Sequence, residues 1–251
     1  MINFALYFMN LINKIFGEGR YYRRIRLLEE ENRKRKKPRT FFVFRLEGED
    51  LTKNALFSSF EVGIKLHLIL RGYLNKVASL LPPCSIQQWL YKLVGIEIEE
   101  NVFIAPEFVA DILVRKWTRI RKDCSIGLAV KCFNHLFEDN GRVLLGYIDI
   151  GEHTSIGGYT TITPGVTIGK YVSIGADVVI GPGVIIGDYA KIKSTSVIGS
   201  FVRIGEGAEV ELGSVVLENV PPHMRVSGNP AKITSENPRS RDKQLTSRAL
   251  Q

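Results

Sequence analysis

The chain has 251 residues, of which 45% are apolar, and a formal net charge of +8; that is enough for one large or two modest domains with a sizeable core. The composition excludes a collagen-like or globally disordered chain. Three cysteines, Cys84, Cys124 and Cys132, lack paired spacing, which excludes a disulfide framework and points to a reducing compartment.

In chain order, residues 1–16 read as an amphipathic helix. Phe4, Tyr7, Phe8, Leu11, Ile12 and Ile15 share a helical spacing, and Lys14 is the only charge. This apolar start lacks a basic flank and a small-residue cleavage site, so no cleaved leader is expected. No charge-free run is long enough to span a bilayer. Residues 19–38 read as a charged helix ending before Pro38. Residues 1–40 together hold eleven Lys or Arg and four Glu, a local excess of +7. A solvated charged face is the plain reading of this arm; the sharper ones are docking on an anionic membrane surface, an anionic glycan or nucleic acid. No nucleic-acid-binding module is recognisable, so nucleic acid is not expected as a partner. The stretch TFFVFRL at 40–46 reads as a short strand, and residues 56–81 as a helix stopped by Pro82 and Pro83. SIQQWLYKLVG makes a further short helix. Residues 1–94 are therefore expected to form a mostly helical, basic region, and residues 235–251 a disordered tail.

From residue 150 the pattern changes to a strict period of six. Ile150, Ile156, Ile162, Ile168, Ile174, Ile180, Ile186, Ile192, Ile198, Ile204, Val210 and Val216 fall on it, and eight of these twelve precede a glycine. Four residues after each anchor stands a small or β-branched residue, from Thr154 and Thr160 to Ser214 and Val220. A helix cannot keep one face apolar at this period, whereas a short strand with a turn every six residues can. Stacked rungs of this kind make a parallel β-helix. The glycines are expected to let the backbone bend at each corner without a side-chain clash.

Weaker repeats precede this run, at Ile98 and Ile104 and again at Ile120, Ile126 and Cys132. The step from Ile104 to Ile120 holds four residues beyond two repeats, which places a bulge or short loop there. Residues 133–147, FNHLFEDNGRVLLGY, break the pattern again and read as a loop extruded from the solenoid, where binding chemistry is commonly placed.

GIEIEENVFIAP at 95–106, NHLFEDNGRVLLGYIDIG at 134–151, IGGYTTITPGVTIG at 156–169 and VPPHMRVSGNPAKI at 220–233 resemble the hexapeptide acyltransferases, and among them the maltose, galactoside and xenobiotic acetyltransferase-like group. The resemblance covers 95–234. It implies a left-handed parallel β-helix, so the chain is expected to be mainly β, with the helical N-terminal region read above. It also implies a homotrimer with sites between neighbouring subunits, acetyl-CoA as co-substrate, a saccharide or glycan hydroxyl as acceptor and no metal; the unpaired cysteines add a cytoplasmic setting, and the basic arm a membrane-peripheral one. The long run of coils at 176–216 and the unmatched first 95 residues depart from the family pattern.

Residue by residue, His135 stands where the family places its catalytic histidine. A hydroxyl is a poor nucleophile near neutral pH, and an imidazole can take its proton as the oxygen attacks a thioester. Asp111 and Asn134 are the expected acceptor contacts. Gly158 and Ala176 match small positions lining the pantetheine groove, and Ser155 stands where several sugar acetyltransferases carry a tryptophan. Asn229, Pro230 and Ala231 match the loop that closes over the nucleotide end of coenzyme A, with Lys232 beside them for the phosphates. His153 reads as a surface turn residue, and His67 and His223 as structural or solvent-exposed. Two other readings compete. One is a non-catalytic β-helix scaffold. The other is a γ-carbonic-anhydrase-like zinc enzyme, for which the histidine spacing is wrong.

Overall fold

The computed structural model describes Leu27, Leu28, Asn32 and residues 41–45, 62–138 and 142–236. The amphipathic segment at 1–16, most of the basic arm at 1–40 and the tail beyond 236 lie outside the described residues. Leu27, Leu28 and Asn32, inside the segment read as a charged helix, are helical. Strand β1 is Phe41–Arg45, helix α1 is Val62–Leu80 and helix α2 is Ser85–Val94. Pro82 and Pro83 separate the two helices, as their missing N–H groups require. Cys84 caps the start of α2 by accepting from Gln87 N, and Gly95 ends it in the left-handed conformation at φ 111°.

From Glu97 onward the chain winds as a left-handed parallel β-helix of three faces. The first face carries the rungs at Ile98, Ile120, Ile150, Ile168, Ile186 and Ile204. The second carries Ile104, Ile126, Ile156, Ile174, Ile192 and Val210. The third carries Ala110, Cys132, Ile162, Ile180, Ile198 and Val216. Every one of these anchors is buried, as are the small residues four positions on, including Val166, Val172, Val178, Val184, Ala190 and Ala208. Hydroxyls at these positions are bonded within the stack: Thr154 donates to Gly169 O at 2.9 Å and Thr160 to Gly175 O at 3.1 Å, while Ser214 accepts from Gly228 N at 3.3 Å.

The corners differ from the expectation drawn from glycine. The left-handed positions are held mainly by non-glycine residues such as Asn101, Asp123, His153, Tyr171, Asp177 and Tyr189. The glycine after each anchor serves close backbone approach instead: a Cβ at Gly157 would collide with the backbone at Gly175 and Ala176 in the next coil. Ring stacking continues along one corner, with His153 on Tyr171 at 4.6 Å and Tyr171 on Tyr189 at 5.1 Å. His153 is thus an exposed turn residue.

Both ends of the solenoid are covered. Helices α1 and α2 close the first coil, where Tyr91 is wholly buried and donates to Phe108 O at 2.9 Å; burial pushes its phenol above the ordinary tyrosine value. At the far end, residues 224–236 form an antiparallel hairpin that continues the second face. Ser235 and Glu236 belong to its last strand, so strand structure continues past the boundary expected at 234.

Candidate active site

Two insertions interrupt the solenoid, and both leave at the corner between the third and first faces. On the first face Ile98 pairs with Ile120 and Ile120 with Ile150, whereas later partners such as Ile150 and Ile168 stand one regular turn apart. The first surplus is the loop 111–117. The second is the segment expected as an extruded loop, which is a hairpin of β2, His135–Phe137, and β3, Arg142–Gly146. β1 adds to the outer edge of β3 in antiparallel register, Phe42 opposite Leu145. A second apolar core of Phe42, Leu68, Leu113, Val114, Trp117, Val143 and Leu145 binds hairpin, loop, α1 and β1 together. Trp117 stacks on Tyr147 at 4.3 Å at the hairpin base.

Because the insertions are one coil apart at the same corner, they bring Asp111 and His135 together. His135 Nδ1 lies 2.5 Å from Asp111 Oδ2. The Asp111 side chain is fully buried, while 27% of the His135 side chain is exposed. Asp111 also accepts from Leu113 N at 2.7 Å and from Asn134 N at 2.9 Å. A carboxylate so engaged fixes the imidazole ring and its tautomer, leaving Nε2 to meet a substrate proton. Asp111, expected as an acceptor contact, has no exposed side-chain surface and is bonded to the histidine.

Asn134, the other expected acceptor contact, is also buried and bonded within the chain. Its amide donates to Trp117 O at 3.0 Å and Gly146 O at 2.9 Å, and accepts from Thr118 Oγ1 at 2.8 Å. With donors and acceptor committed and the residue buried, it joins the hairpin base to the 111–118 segment and offers nothing to a ligand.

The residues expected to bind coenzyme A lie elsewhere. Ser155 projects from the second face between Ser125 and Ser173, and all three are exposed. Gly158 and Ala176 occupy the next corner, between the second and third faces, where Ala176 N donates to Ser194 Oγ at 3.1 Å. A Cβ at Gly158 would press on Leu128 O, so the floor there is bare backbone. Asn229 and Pro230 are exposed at the tip of the 224–236 hairpin; Ala231 packs against the core, and Lys232 pairs with Glu218 at 3.7 Å at the surface. These sites share the second face and its edge. His135 stands at the opposite edge of the third face. The fold of one chain therefore separates the histidine from these sites.

Residues 147–182 and 177–212 match the family model described as bacterial transferase hexapeptide (six repeats). The chain carries the bacterial transferase hexapeptide repeat. No curated protein matches it by sequence. Among solved structures, the hexapeptide-repeat domain is similar to that of a Vibrio cholerae hexapeptide-repeat acetyltransferase complexed with acetyl coenzyme A, at 20% identity over 70% of this chain and 89% of that one, TM-score 0.47. A galactoside acetyltransferase in complex with coenzyme A gives 20% identity over 86% and 93%, TM-score 0.49. A perosamine N-acetyltransferase mutant from Caulobacter crescentus, with CoA and GDP-perosamine, gives 19% over 60% and 64%, TM-score 0.39. With all three scores below 0.5, the functional reading rests on this chain's own residues. Among the described residues no group of three or more His, Cys, Asp or Glu gathers as metal ligands would. The buried thiol of Cys132, beside the hairpin, is pushed up to about 12 by desolvation and is a poor nucleophile.

Sequence reasoning missed three supports of the site: Thr118 and Trp117, which hold Asn134, and Phe42, whose ring sits 5.8 Å from that of Trp117. The apolar strand pattern at 40–46 was the available signal for Phe42. Nothing in the local sequence marks Thr118.

Proposed function

We propose that this protein is a coenzyme A-dependent O-acyltransferase that moves an acetyl group from acetyl-CoA to a saccharide or glycan hydroxyl in the cytoplasm. The observation that carries the reading is the buried Asp111 carboxylate on Nδ1 of a partly exposed His135. A scaffold has no use for an imidazole oriented in this way. His135 Nε2 takes the acceptor's proton as its oxygen bonds to the thioester carbonyl carbon. The carbon–sulfur bond then breaks, and the imidazolium returns the proton to the departing coenzyme A thiolate.

The separation of His135 from the Ser155–Gly158–Ala176 strip supports a site shared between copies. In a closed trimer the third-face edge of one subunit meets the second-face edge of the next. The outward row of the third face suits such packing, since Val109, Val179 and Val197 are exposed.

The test is release of free thiol from acetyl-CoA across a panel of saccharides. Wild type is expected to turn over. His135→Ala is expected to lose about 10²–10⁴-fold in rate with coenzyme A binding kept. Mixed trimers of His135→Ala and Ala176→Trp subunits are expected to regain activity that neither parent has. Unchanged turnover by folded His135→Ala removes the base, and a monomer by light scattering removes the shared site.

A further inference from the structure

Helix α1 is amphipathic in the reverse sense. Its inward face carries Arg71, Asn75 and Ser79 beside Leu68 and Ala78, all buried. Their donors are answered by backbone, while the Asn75 carbonyl oxygen has no hydrogen-bond partner among the described residues. Arg71 donates to Val94 O at 2.7 Å and Val114 O at 3.1 Å, which caps the last carbonyl of α2. Asn75 donates to Ala110 O at 3.0 Å. The apolar stripe faces out: Ile69 is 55% exposed, Tyr73 69%, Val77 49% and Leu80 65%, and Ile86 on α2 adds to it at 65%. At a helical repeat, Ile69, Tyr73, Val77 and Leu80 fall on one side. A stripe of this kind normally faces a core.

We propose that this outward face of α1 docks on an anionic lipid surface. The charge of the helical pair selects the occupant. Between Val62 and Ile96 the chain has Lys65, Arg71, Lys76 and Lys92 and no Asp or Glu. Lys76 and Lys92 are exposed. Lys76 falls on the same side as the stripe, whereas Lys92 shares its cleft with Glu97, Glu99 and Glu100; two copies meeting symmetrically through the stripe would set Lys76 against its own copy with no carboxylate on α1 to answer it. Anionic headgroups answer it directly, while the apolar stripe enters the headgroup–acyl boundary and the Tyr73 ring sits at its polar edge. The first forty residues, with their excess of +7, add charge of the same sign. Among the described residues no helix is long and apolar enough to cross a membrane, so α1 lies on the surface. This inference does not depend on the acyltransferase reading.

The test uses the full chain and vesicles of phosphatidylcholine, with and without phosphatidylglycerol. Co-sedimentation is expected only with phosphatidylglycerol present, weakening as salt screens the charges. The triple variant Tyr73→Ser, Val77→Ser, Leu80→Ser is expected to lose binding by about tenfold or more, because interfacial binding scales with buried apolar area. Its thermal midpoint is expected to stay near wild type, since exposed side chains contribute little to folding. Four results overturn the proposal. The first is no binding by the intact protein, and the second is equal binding by the variant. The third is a smaller oligomer in the variant, which assigns the face to another copy. The fourth is a marked fall in its thermal midpoint, which assigns the face to a segment of the same chain.

Discussion

Between Ile150 and Val216 each rung on a face pairs with the rung one regular turn away, as Ile150 with Ile168 and Ile168 with Ile186. No loop interrupts these coils, and their interior is aliphatic with hydroxyls bonded to carbonyls. The corner that bears 111–117 and the β2–β3 hairpin is built on the same ladder, yet it holds a buried carboxylate, a partly exposed imidazole and a fully bonded amide. The inward positions of the regular coils are left to aliphatic side chains and hydroxyls, and their charged pairs project outward, as Glu209 does with Lys193 and Arg225. The Asp111–His135 pair forms where extra residues leave the stack and carry their own core of Phe42, Trp117 and Leu145. The regular coils therefore set the position of the corner, and the insertions supply its chemistry.

Substitutions on the two sides should fail in different ways. The largest effect on stability is expected from Ile168→Ala, which empties a site 2% exposed in the middle of the stack. It should cost about 2–5 kcal/mol, read as a lowered thermal midpoint, while the protein that remains folded binds coenzyme A as before. A normal midpoint would show that the coils relax around the cavity and do not act as a rigid support.

On the other side, Asp111→Asn should cost about 1–3 kcal/mol, because its NH2 would face a buried N–H that the carboxylate now accepts from, and should lower kcat by roughly tenfold or more, approaching the 10²–10⁴-fold of losing the base itself. Because Asp111 has no exposed side-chain surface, the acceptor KM should not move. A raised KM at unchanged kcat would restore Asp111 as an acceptor contact and break the dyad.

How much of this was legible follows from the same contrast. The period of six names every anchor from Ile150 to Val216, because one inward position per rung is all the fold demands of sequence. The left-handed corners at Tyr171, Asp177 and Phe201 were illegible, since the stack imposes that conformation on residues that read as ordinary surface. His135 was found through motif resemblance. Its pairing with Asp111 was not, because the two meet only after insertions of different length are placed at one corner. The burial of Arg71 and Asn75 depends on carbonyls at Val94, Val114 and Ala110, which no local pattern reveals.

Asn134→Ala probes the joint between the two regions. It removes two amide donors and the acceptor for Thr118 Oγ1, leaving buried groups at Trp117, Gly146 and Thr118 without these bonds. The expected cost is about 1–3 kcal/mol, confined to the hairpin. Hydrogen exchange should quicken at Val143, Leu144 and Leu145 while Ile168 and Ile186 stay protected. Faster exchange throughout the coils would mean that hairpin and stack unfold as one unit.

The smallest effect is expected at the last regular turn, where charge meets the ladder. Glu209 projects from the second face between Lys191 and Arg225, with its side chain only 10% exposed. Burial alone would raise its pKa, but hydrogen bonds from Arg225 at 3.0 Å and Lys193 at 3.2 Å outweigh burial and lower it. Since folding lowers this pKa, Glu209 contributes stability fully above the unfolded glutamate value of about 4.3, and the contribution is lost as pH falls through the folded value. Glu209→Gln should therefore lower the thermal midpoint at neutral pH by the equivalent of about 1 kcal/mol, near the upper end for partly solvated ion pairs. The difference from wild type should shrink as the pH is taken below that range, where both proteins carry an uncharged side chain. A gap of constant size at acid pH would assign Glu209 a packing role in the ladder in place of an electrostatic one. A gap that widens would require a folded-state pKa raised by burial, and the two cations would then fail to offset desolvation at this edge of the stack.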